Sequence, residues 1–497
     1  MTVAYNIFYT QVPIMASFHL ITRYNELMQN ELVSSSQLQS YQHARQSRDA
    51  RFDGLFFVAV KTTGIYCRPI CPATTPKEKN IEYFTHAHQA VKAGYRPCLR
   101  CHPDSAPGSP LWKGVSSSLE RAKKLIDEGA LDTGSMSDLS DRLGITERYL
   151  RKLFDKHLGI SPKAYALFRQ CEFAKNLLHQ TTLPITEIAL ASGFNSVRRF
   201  NDCFKKQLSL TPSQIRKSNK VPSNTIQLKL YYRPPYDWQH LQQFFATRMI
   251  DGLEWTDKNS YGRTFLFEGI SSENDSPMQC KGHFTAQHNP NKHRFDVTIE
   301  IDNIAHLKMV VNTIRRILDL DTDSKTVEQC LRHSGFINYK KGLRLPGTWS
   351  LLEAGIRAIL GQQISVVAAL NLVKSVIDEL GEKTSNGKVY FPTAKALADA
   401  DFEFIKMPGK RKETLTNLAK HFLHSSSAKN PESWLTLKGI GPWTIDYAKM
   451  RGLSDPDIYL GGDLGVKKVM DKPNLSIDPT KATPFRSYLT FQLWHKL

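Results

Sequence analysis

The chain is 497 residues long, with 66 Lys and Arg against 47 Asp and Glu and a formal net charge of +19. That length exceeds what one hydrophobic core supports, so two to four domains are expected, and a positive surplus of this size points to a polyanionic partner held by salt-dependent attraction. No run of about 20 apolar residues occurs, which excludes a membrane-spanning helix.

Taken in order, Met1 to Asn30 lacks the charged, apolar and small-residue succession of a secretory signal, so a cytoplasmic protein is expected. Residues 1–45 carry no readable motif, and Met28 offers an alternative start. Four cysteines then stand in two close pairs: Cys67 and Cys71 with three residues between them, and Cys98 and Cys101 with two. Thiolates so spaced converge tetrahedrally on one zinc ion, and Pro69, Pro72 and Pro97 flank the pairs with turns. The stretch between them, with Asn80, Glu82 and Tyr83, is long enough for a strand and a short helix. Spacing alone suits a purely structural zinc knuckle equally well. The other cysteines, Cys171, Cys203, Cys280 and Cys330, are scattered and read as core or surface thiols of a reducing compartment.

Tyr66, Cys67, Arg68, Pro69 and Cys71, followed by Gly94, Tyr95, Arg96, Pro97, Cys98, Arg100 and Cys101, resemble the N-terminal domain of the Ada family of bacterial alkylation-response regulators, across 46–108. The resemblance implies that Cys67 is both zinc ligand and nucleophile, accepting a methyl group from a methylated DNA phosphate. Zinc keeps the sulfurs ionised at neutral pH, and four thiolates on one dication make a doubly negative, electron-rich cluster. Methylation removes one of those negative charges, so the repaired cluster should bind DNA phosphates better and act as a switch. Where the family pattern has an arginine after Cys71, this chain has Thr74 and Thr75, with Lys77 and Lys79 further on. Phosphate contact there is expected to be weaker or rearranged.

After the breaker-rich segment Pro103 to Pro110, apolar residues recur at spacings of three and four: Leu139, Leu143, Leu150, Leu153 and Phe154, with Gly144 at a turn. About fifty residues later Ile185, Ile188, Ala189, Phe194, Phe200 and Phe204 repeat the design around Gly193. Two tandem helix-turn-helix units follow. Outside the apolar stripes lie Glu147, Arg148, Arg151 and Lys152, then Asn195, Arg198, Arg199, Asn201 and Lys205. Such residues suit a solvated face, and they equally suit a recognition helix reading base edges in the major groove. Ile185 to Phe204 with Leu210, Thr211, Pro212 and Ser213 resemble the AraC-type DNA-binding domain over 113–218. That resemblance implies promoter binding through Arg148, Arg151, Arg198, Arg199 and Asn201, transcription activation, and RNA polymerase as a partner.

Beyond the polar linker Lys217 to Asn224, alternation in Ile226, Leu228 and Leu230, in Phe265 and Phe267, and in Phe295, Val297 and Ile299 predicts short strands, with a covering helix from His306 to Leu318. From Leu345 onward the pattern is helical, so an α+β lobe (224–338) and a helical lobe (339–497) are expected. No Pro-Cys-His-Arg site for direct reversal of base methylation occurs. Leu437 to Pro442 reads as a hairpin between two helices, in which Gly439 and Gly441 leave backbone N–H groups open to a DNA phosphate. Trp443 follows the turn, and Asp463 lies within Tyr459, Leu460, Gly461, Gly462, Asp463 and Leu464. Together with Pro234, Pro235, Tyr236, Asp237 and Trp238, these residues resemble the helix-hairpin-helix glycosylases of the AlkA type, whose first lobe is TATA-binding-protein-like.

The resemblance implies that Asp463 is the catalytic carboxylate, that Trp443, Tyr447, Trp494 and Phe244 wall an aromatic base pocket, and that Gln363 fills the gap left by a flipped base. AlkA has leucine at the Gln363 position. A carboxylate suits the positive charge that builds on deoxyribose as a base leaves, and electron-rich rings suit a cationic alkylated purine. Relatives that nick the strand carry lysine where this chain has Trp443, so a monofunctional hydrolase is expected. The hairpin is also expected to hold a monovalent cation through its carbonyls. The fold expected is multidomain, α+β and mainly α: a small α/β domain with a four-cysteine zinc site, an all-α helix-turn-helix domain, an α+β lobe and an all-α glycosylase lobe. The expected protein is a monomer acting on alkylated and promoter double-stranded DNA; the alternative is a methylation-responsive activator with a catalytically silent glycosylase module.

Overall fold

A computed structural model of the chain describes residues 35–48, 56–71, 73–85, 87–98, 101, 103, 115–132, 134–216, 225–270, 277–384, 386–472 and 477–497. Met1 to Asn30, Arg100, most of the first linker and all of the second lie outside these residues. The chain forms two compact units, one ending at Glu120 and the other running from Arg121 to Leu497.

In the first unit, α1 (Ser35–Ser47) precedes β1 (Phe57–Val60), β2 (Ile65–Cys67), β3 (Ile81–Phe84), α2 (Ala87–Lys92) and β4 (Arg96–Pro97). The sheet order is β3-β1-β2-β4, with β1 antiparallel to β2 and β3 and β2 parallel to β4. The boundary expected at 46 is corrected, because it falls inside α1. Tyr41 stacks on Phe56 with ring centroids 4.1 Å apart, Ala44 is buried, and Arg45 Nε donates to Tyr83 Oη at 3.1 Å. This helix carries neither cysteine nor a strong apolar stripe, so its membership of the domain shows only in packing.

The helices α3 (Val115–Asp127), α4 (Met136–Leu143), α5 (Glu147–Leu158), α6 (Pro162–Gln180), α7 (Ile185–Ala191), α8 (Val197–Leu208) and α9 (Pro212–Ile215) follow. The two expected helix-turn-helix pairs are α4 with α5 and α7 with α8. Ser135, Thr146 and Ser196 cap α4, α5 and α8 by accepting backbone N–H bonds, and Gly144 and Gly193 take the left-handed conformation at φ 67° and 84°. The long helix α6 joins the pairs, started by Ser161 as cap with Pro162 in its first turn.

Next come β5 (Ile226–Tyr231), α10 (Trp238–Ala246), β6 (Glu254–Thr256), β7 (Ser260–Ile270), β8 (Pro277–Asn289), β9 (Arg294–Ile301), α11 (Leu307–Ile317) and α12 (Ser324–His333). The five strands form an antiparallel sheet of order β5-β9-β8-β7-β6. β8, unforeseen in the sequence, alternates Cys280, Gly282, Phe284 and Ala286 with polar residues; small residues on its buried face mute the pattern.

The helical part comprises α13 (Leu351–Leu360), α14 (Val366–Leu380), α15 (Ala394–Asp399), α16 (Gly409–His424), α17 (Pro442–Gly452), α18 (Leu464–Met470) and α19 (Arg486–Trp494). The expected division of 224–338 from 339–497 is crossed in space. Val466, Val469, Tyr488, Leu489, Phe491 and Leu493 of α18 and α19 join the core of the sheet, whereas α13 to α16 build a second core around Trp434. A buried ionic network ties sheet to helices. Arg263 Nη2 meets Glu353 Oε2 at 2.9 Å, Arg357 Nε meets Glu353 Oε1 at 2.9 Å, and Arg357 Nη2 meets Glu254 Oε2 at 3.0 Å. Among the described residues no helix is long and apolar enough to cross a membrane.

Candidate functional site

The parallel pairing of β2 with β4 sets Tyr66 opposite Pro97 and so brings the two cysteine pairs together. Cys67 ends β2, and Cys71 follows a turn closed by its own N–H on the Arg68 carbonyl at 3.1 Å. The Cys98 N–H bonds the Tyr66 carbonyl at 3.0 Å, and the Arg68 N–H donates to Cys101 Sγ at 3.4 Å. All four sulfurs lie within 4.8 Å of one another, with Cys71 and Cys98 at 4.0 Å, and none of the four is in a disulfide. A tetrahedron with metal–sulfur bonds of about 2.3 Å has sulfur–sulfur edges near 3.8 Å, so the set fits zinc with little adjustment. Cys71, Cys98 and Cys101 are buried and Cys67 is half-buried, which leaves Cys67 the most exposed residue of the four. Thr74 and Thr75 are exposed, as are Lys77 and Lys79.

On the recognition helices Arg148, Arg151, Arg198, Arg199 and Asn201 are all exposed. Arg151 is bridged to Glu147 at 2.8 Å one turn back, while the backbone N–H of Arg199 is capped by Ser196 Oγ at 3.2 Å.

In the helical part, the expected hairpin is present with one correction: its first arm is the 3-10 stretch Pro431–Thr436, and only its second arm, α17, is an α-helix. Gly439 has φ 91°, and a Cβ there would sit 2.2 Å from Thr414 Oγ1; the Cα of Gly441 faces open space. Gln362 Nε2 donates to the Gly439 carbonyl at 3.2 Å and to Thr444 Oγ1 at 3.0 Å, which braces the hairpin against the loop before α14. Gln363, next in that loop, is exposed with φ 58°.

Asp463 is the N-cap of α18, and every bond its carboxylate accepts from the described residues ends on one oxygen. Oδ1 receives the N–H groups of Gly465 at 2.9 Å and Val466 at 3.1 Å, and the indole N–H of Trp494 at 3.0 Å. No described residue donates to Oδ2. Helix cap and reactive carboxylate are therefore compatible roles for one side chain.

Trp443 and Tyr447 stack with centroids 5.3 Å apart at 25°, one turn apart on α17. Phe491 meets Trp494 edge-on at 4.9 Å and Phe244 at 5.4 Å. Phe244 was expected on the pocket wall. It is buried, and its ring already carries two guanidiniums, Arg248 at 3.9 Å and Arg451 at 4.7 Å from the centroid. Arg451 also donates to Tyr447 Oη at 3.3 Å, and burial pushes the Arg248 guanidinium down to about 10. Sequence reasoning missed Arg248, Arg451 and Gln362, which lie at helix or loop positions with no distinctive spacing.

The metal binding domain of Ada matches residues 40–104, a helix-turn-helix domain 139–218, and the AlkA N-terminal domain 227–350. A Mycobacterium tuberculosis protein described as a probable bifunctional transcriptional activator/DNA repair enzyme AlkA is 31% identical over 487 residues, covering 91% of this chain and 95% of that one. The chain belongs to this bifunctional Ada–AlkA fusion family. Its two ends are also similar to separate proteins. DNA-3-methyladenine glycosylase 2 of Escherichia coli is 30% identical over 54% of this chain and 96% of its own length. The bifunctional transcriptional activator/DNA repair enzyme AdaA of Bacillus subtilis is 31% identical over 35% of this chain and 81% of its own. The Ada–AlkA assignment places the four-cysteine cluster in a metal-binding domain, consistent with the observed convergence of sulfurs, and joins it to a glycosylase-type C-terminal half.

Proposed function

We propose that this Ada–AlkA chain excises alkylated bases of the 3-methyladenine type by hydrolysis, accepts methyl groups from DNA methylphosphotriesters on Cys67, and activates transcription from a specific operator. The observation that carries the enzymatic part is the divided carboxylate of Asp463, whose Oδ1 is held by three N–H groups. Oδ2 is left to face the positive charge that grows at C1′ as the glycosidic bond breaks and its electron pair leaves with the base. Water then bonds to C1′ and its proton passes to Asp463 or to solvent. Trp443 and Tyr447 offer a stacked aromatic wall for the flipped base, and Gln363 the exposed tip that enters the gap. Gly439 and Gly441 present backbone to a phosphate, and a monovalent cation at these carbonyls would share Gly439 with Gln362.

At the other end, zinc when bound keeps the four sulfurs ionised. Cys67 Sγ forms a bond to the methyl carbon while the carbon–oxygen bond breaks, returning a phosphodiester anion to the DNA. Support comes from the half-buried position of Cys67 among three buried ligands. Arg148, Arg151, Arg198, Arg199 and Asn201 read the operator from exposed helices, and the protein acts as a cytoplasmic, nucleoid-associated monomer that engages RNA polymerase.

The deciding experiment is release of free 3-methyladenine and 7-methylguanine from methylated duplex DNA by the intact chain and by Asp463→Asn. Release by the intact chain, reduced at least roughly 100-fold in the variant with DNA binding retained, is expected. No release by the intact chain would instead leave a methylation-responsive activator with a silent glycosylase module.

A further inference from the structure

The helix-turn-helix segment packs directly on the sheet lobe within the second unit. α6 lies against the edge strand β5, and α7 packs on the 3-10 turn Ile304–His306 that leads into α11. Lys308, on the first turn of α11, is only 8% exposed, yet it is a charged residue on a helix whose apolar face already covers the sheet. Its Nζ reaches Asp132 Oδ2 at 2.8 Å, in the loop between α3 and α4. Asp132 Oδ1 accepts in turn from Gln170 Nε2 of α6 at 2.9 Å, and the same amide donates to the Gly193 carbonyl in the turn between α7 and α8 at 3.2 Å. One carboxylate thus joins the first helix-turn-helix pair, the connecting helix, the second pair and the repair lobe.

Two further bonds flank it. Asn312 Nδ2, one turn along α11, donates to the Asp127 carbonyl at 2.8 Å, and the Lys229 N–H of β5 donates to Gln180 Oε1 at 2.6 Å. The latter satisfies a donor on a sheet edge that would otherwise invite pairing with another chain. Apolar burial is continuous across the contact, from Cys171, Leu177 and Phe204 to Leu228, Val297 and Leu307. A desolvated lysine with one carboxylate partner, a covered strand edge and a shared core belong to a specific interface; a repair lobe separated from this segment would bury none of them. Arg148, Arg198, Arg199, Asn201, Gln363 and Gly439 all stay exposed, so docking obstructs neither set of DNA-facing residues.

We propose that residues 121–497 form one rigid body in which the Asp132–Lys308 pair locks the AraC-type unit onto the glycosylase, so that operator reading and lesion excision cannot move independently. This goes beyond the function proposed above and does not depend on which bases are excised. The test uses the full chain with a protease site placed in 217–224. After cleavage the two fragments are expected to co-elute in size-exclusion chromatography, and to separate when Lys308→Ala is introduced, while base release from methylated DNA stays within twofold of the uncleaved chain. The charge exchange Asp132→Lys with Lys308→Asp should restore co-elution. Separation of the cleaved wild-type fragments, each still folded by circular dichroism, would overturn the rigid body. Co-elution that survives Lys308→Ala would overturn the lock.

Discussion

At the scale of residues, the chemistry of the C-terminal half turns on how one carboxylate is held. Trp494 was expected as a wall of the base pocket, and its indole N–H donates to Asp463 Oδ1. Trp494→Phe keeps an aromatic ring, though a smaller one, and removes that donor. Since a hydrogen bond to a charged group contributes roughly 1.5–3 kcal/mol, kcat for base release should fall about 10- to 100-fold. KM should change little, because the stacked pair Trp443 and Tyr447 is untouched; a large rise in KM with kcat preserved would return Trp494 to the pocket wall. The same scale explains Phe244. Its aromatic character was legible, and its surroundings only in part: Arg248 stands in the turn just after α10, one helical turn beyond Phe244, whereas Arg451 comes from α17, far along the chain.

At the scale of elements, strong periodicity translated directly into structure. The recognition helices, the strands β5 and β9 and the covering helix α11 formed where apolar residues recur at spacings of two or of three and four. Elements held by something other than an apolar stripe escaped notice. α1 is fixed by Tyr41 and Arg45 meeting residues far along the chain, and β8 packs small residues against its neighbours. The ionic part of the link between sheet and helices is equally silent in the sequence. Burial pushes the Glu353 carboxyl up, but Arg263 and Arg357 outweigh burial and hold it below its ordinary value of 4.5. A carboxyl depressed in the folded state contributes stability that is complete above its unfolded value and is lost as pH falls below it. Glu353→Gln should therefore cost roughly 3–5 kcal/mol in denaturant titration at neutral pH, since it leaves two buried guanidiniums short of a counter-charge. Its melting temperature should also fall less steeply than that of the wild type below about pH 4.5.

At the scale of the whole molecule, a net charge of +19 and several DNA-facing surfaces predict binding that weakens steeply with salt. Arg199→Ala should lower operator affinity and reduce the slope of log K against log salt by roughly 1 if the side chain meets a phosphate. Loss of discrimination between operator and random DNA with the slope intact would mean that Arg199 reads a base. Both outcomes are read by fluorescence anisotropy between about 50 and 200 mM salt, where such slopes are resolved. The order of modules, the cysteine ligands and the glycosylase signature were legible because each rests on a few residues at fixed local spacing, whose chemistry needs no distant partner. The held oxygen of Asp463, the cations on Phe244, the return of α18 and α19 to the core of the sheet and the Asp132–Lys308 contact came only with the folded chain. Apart from Arg248 and the two backbone donors to Asp463, these contacts join residues tens to hundreds of positions apart, and their meeting is decided by which apolar surfaces pack best together.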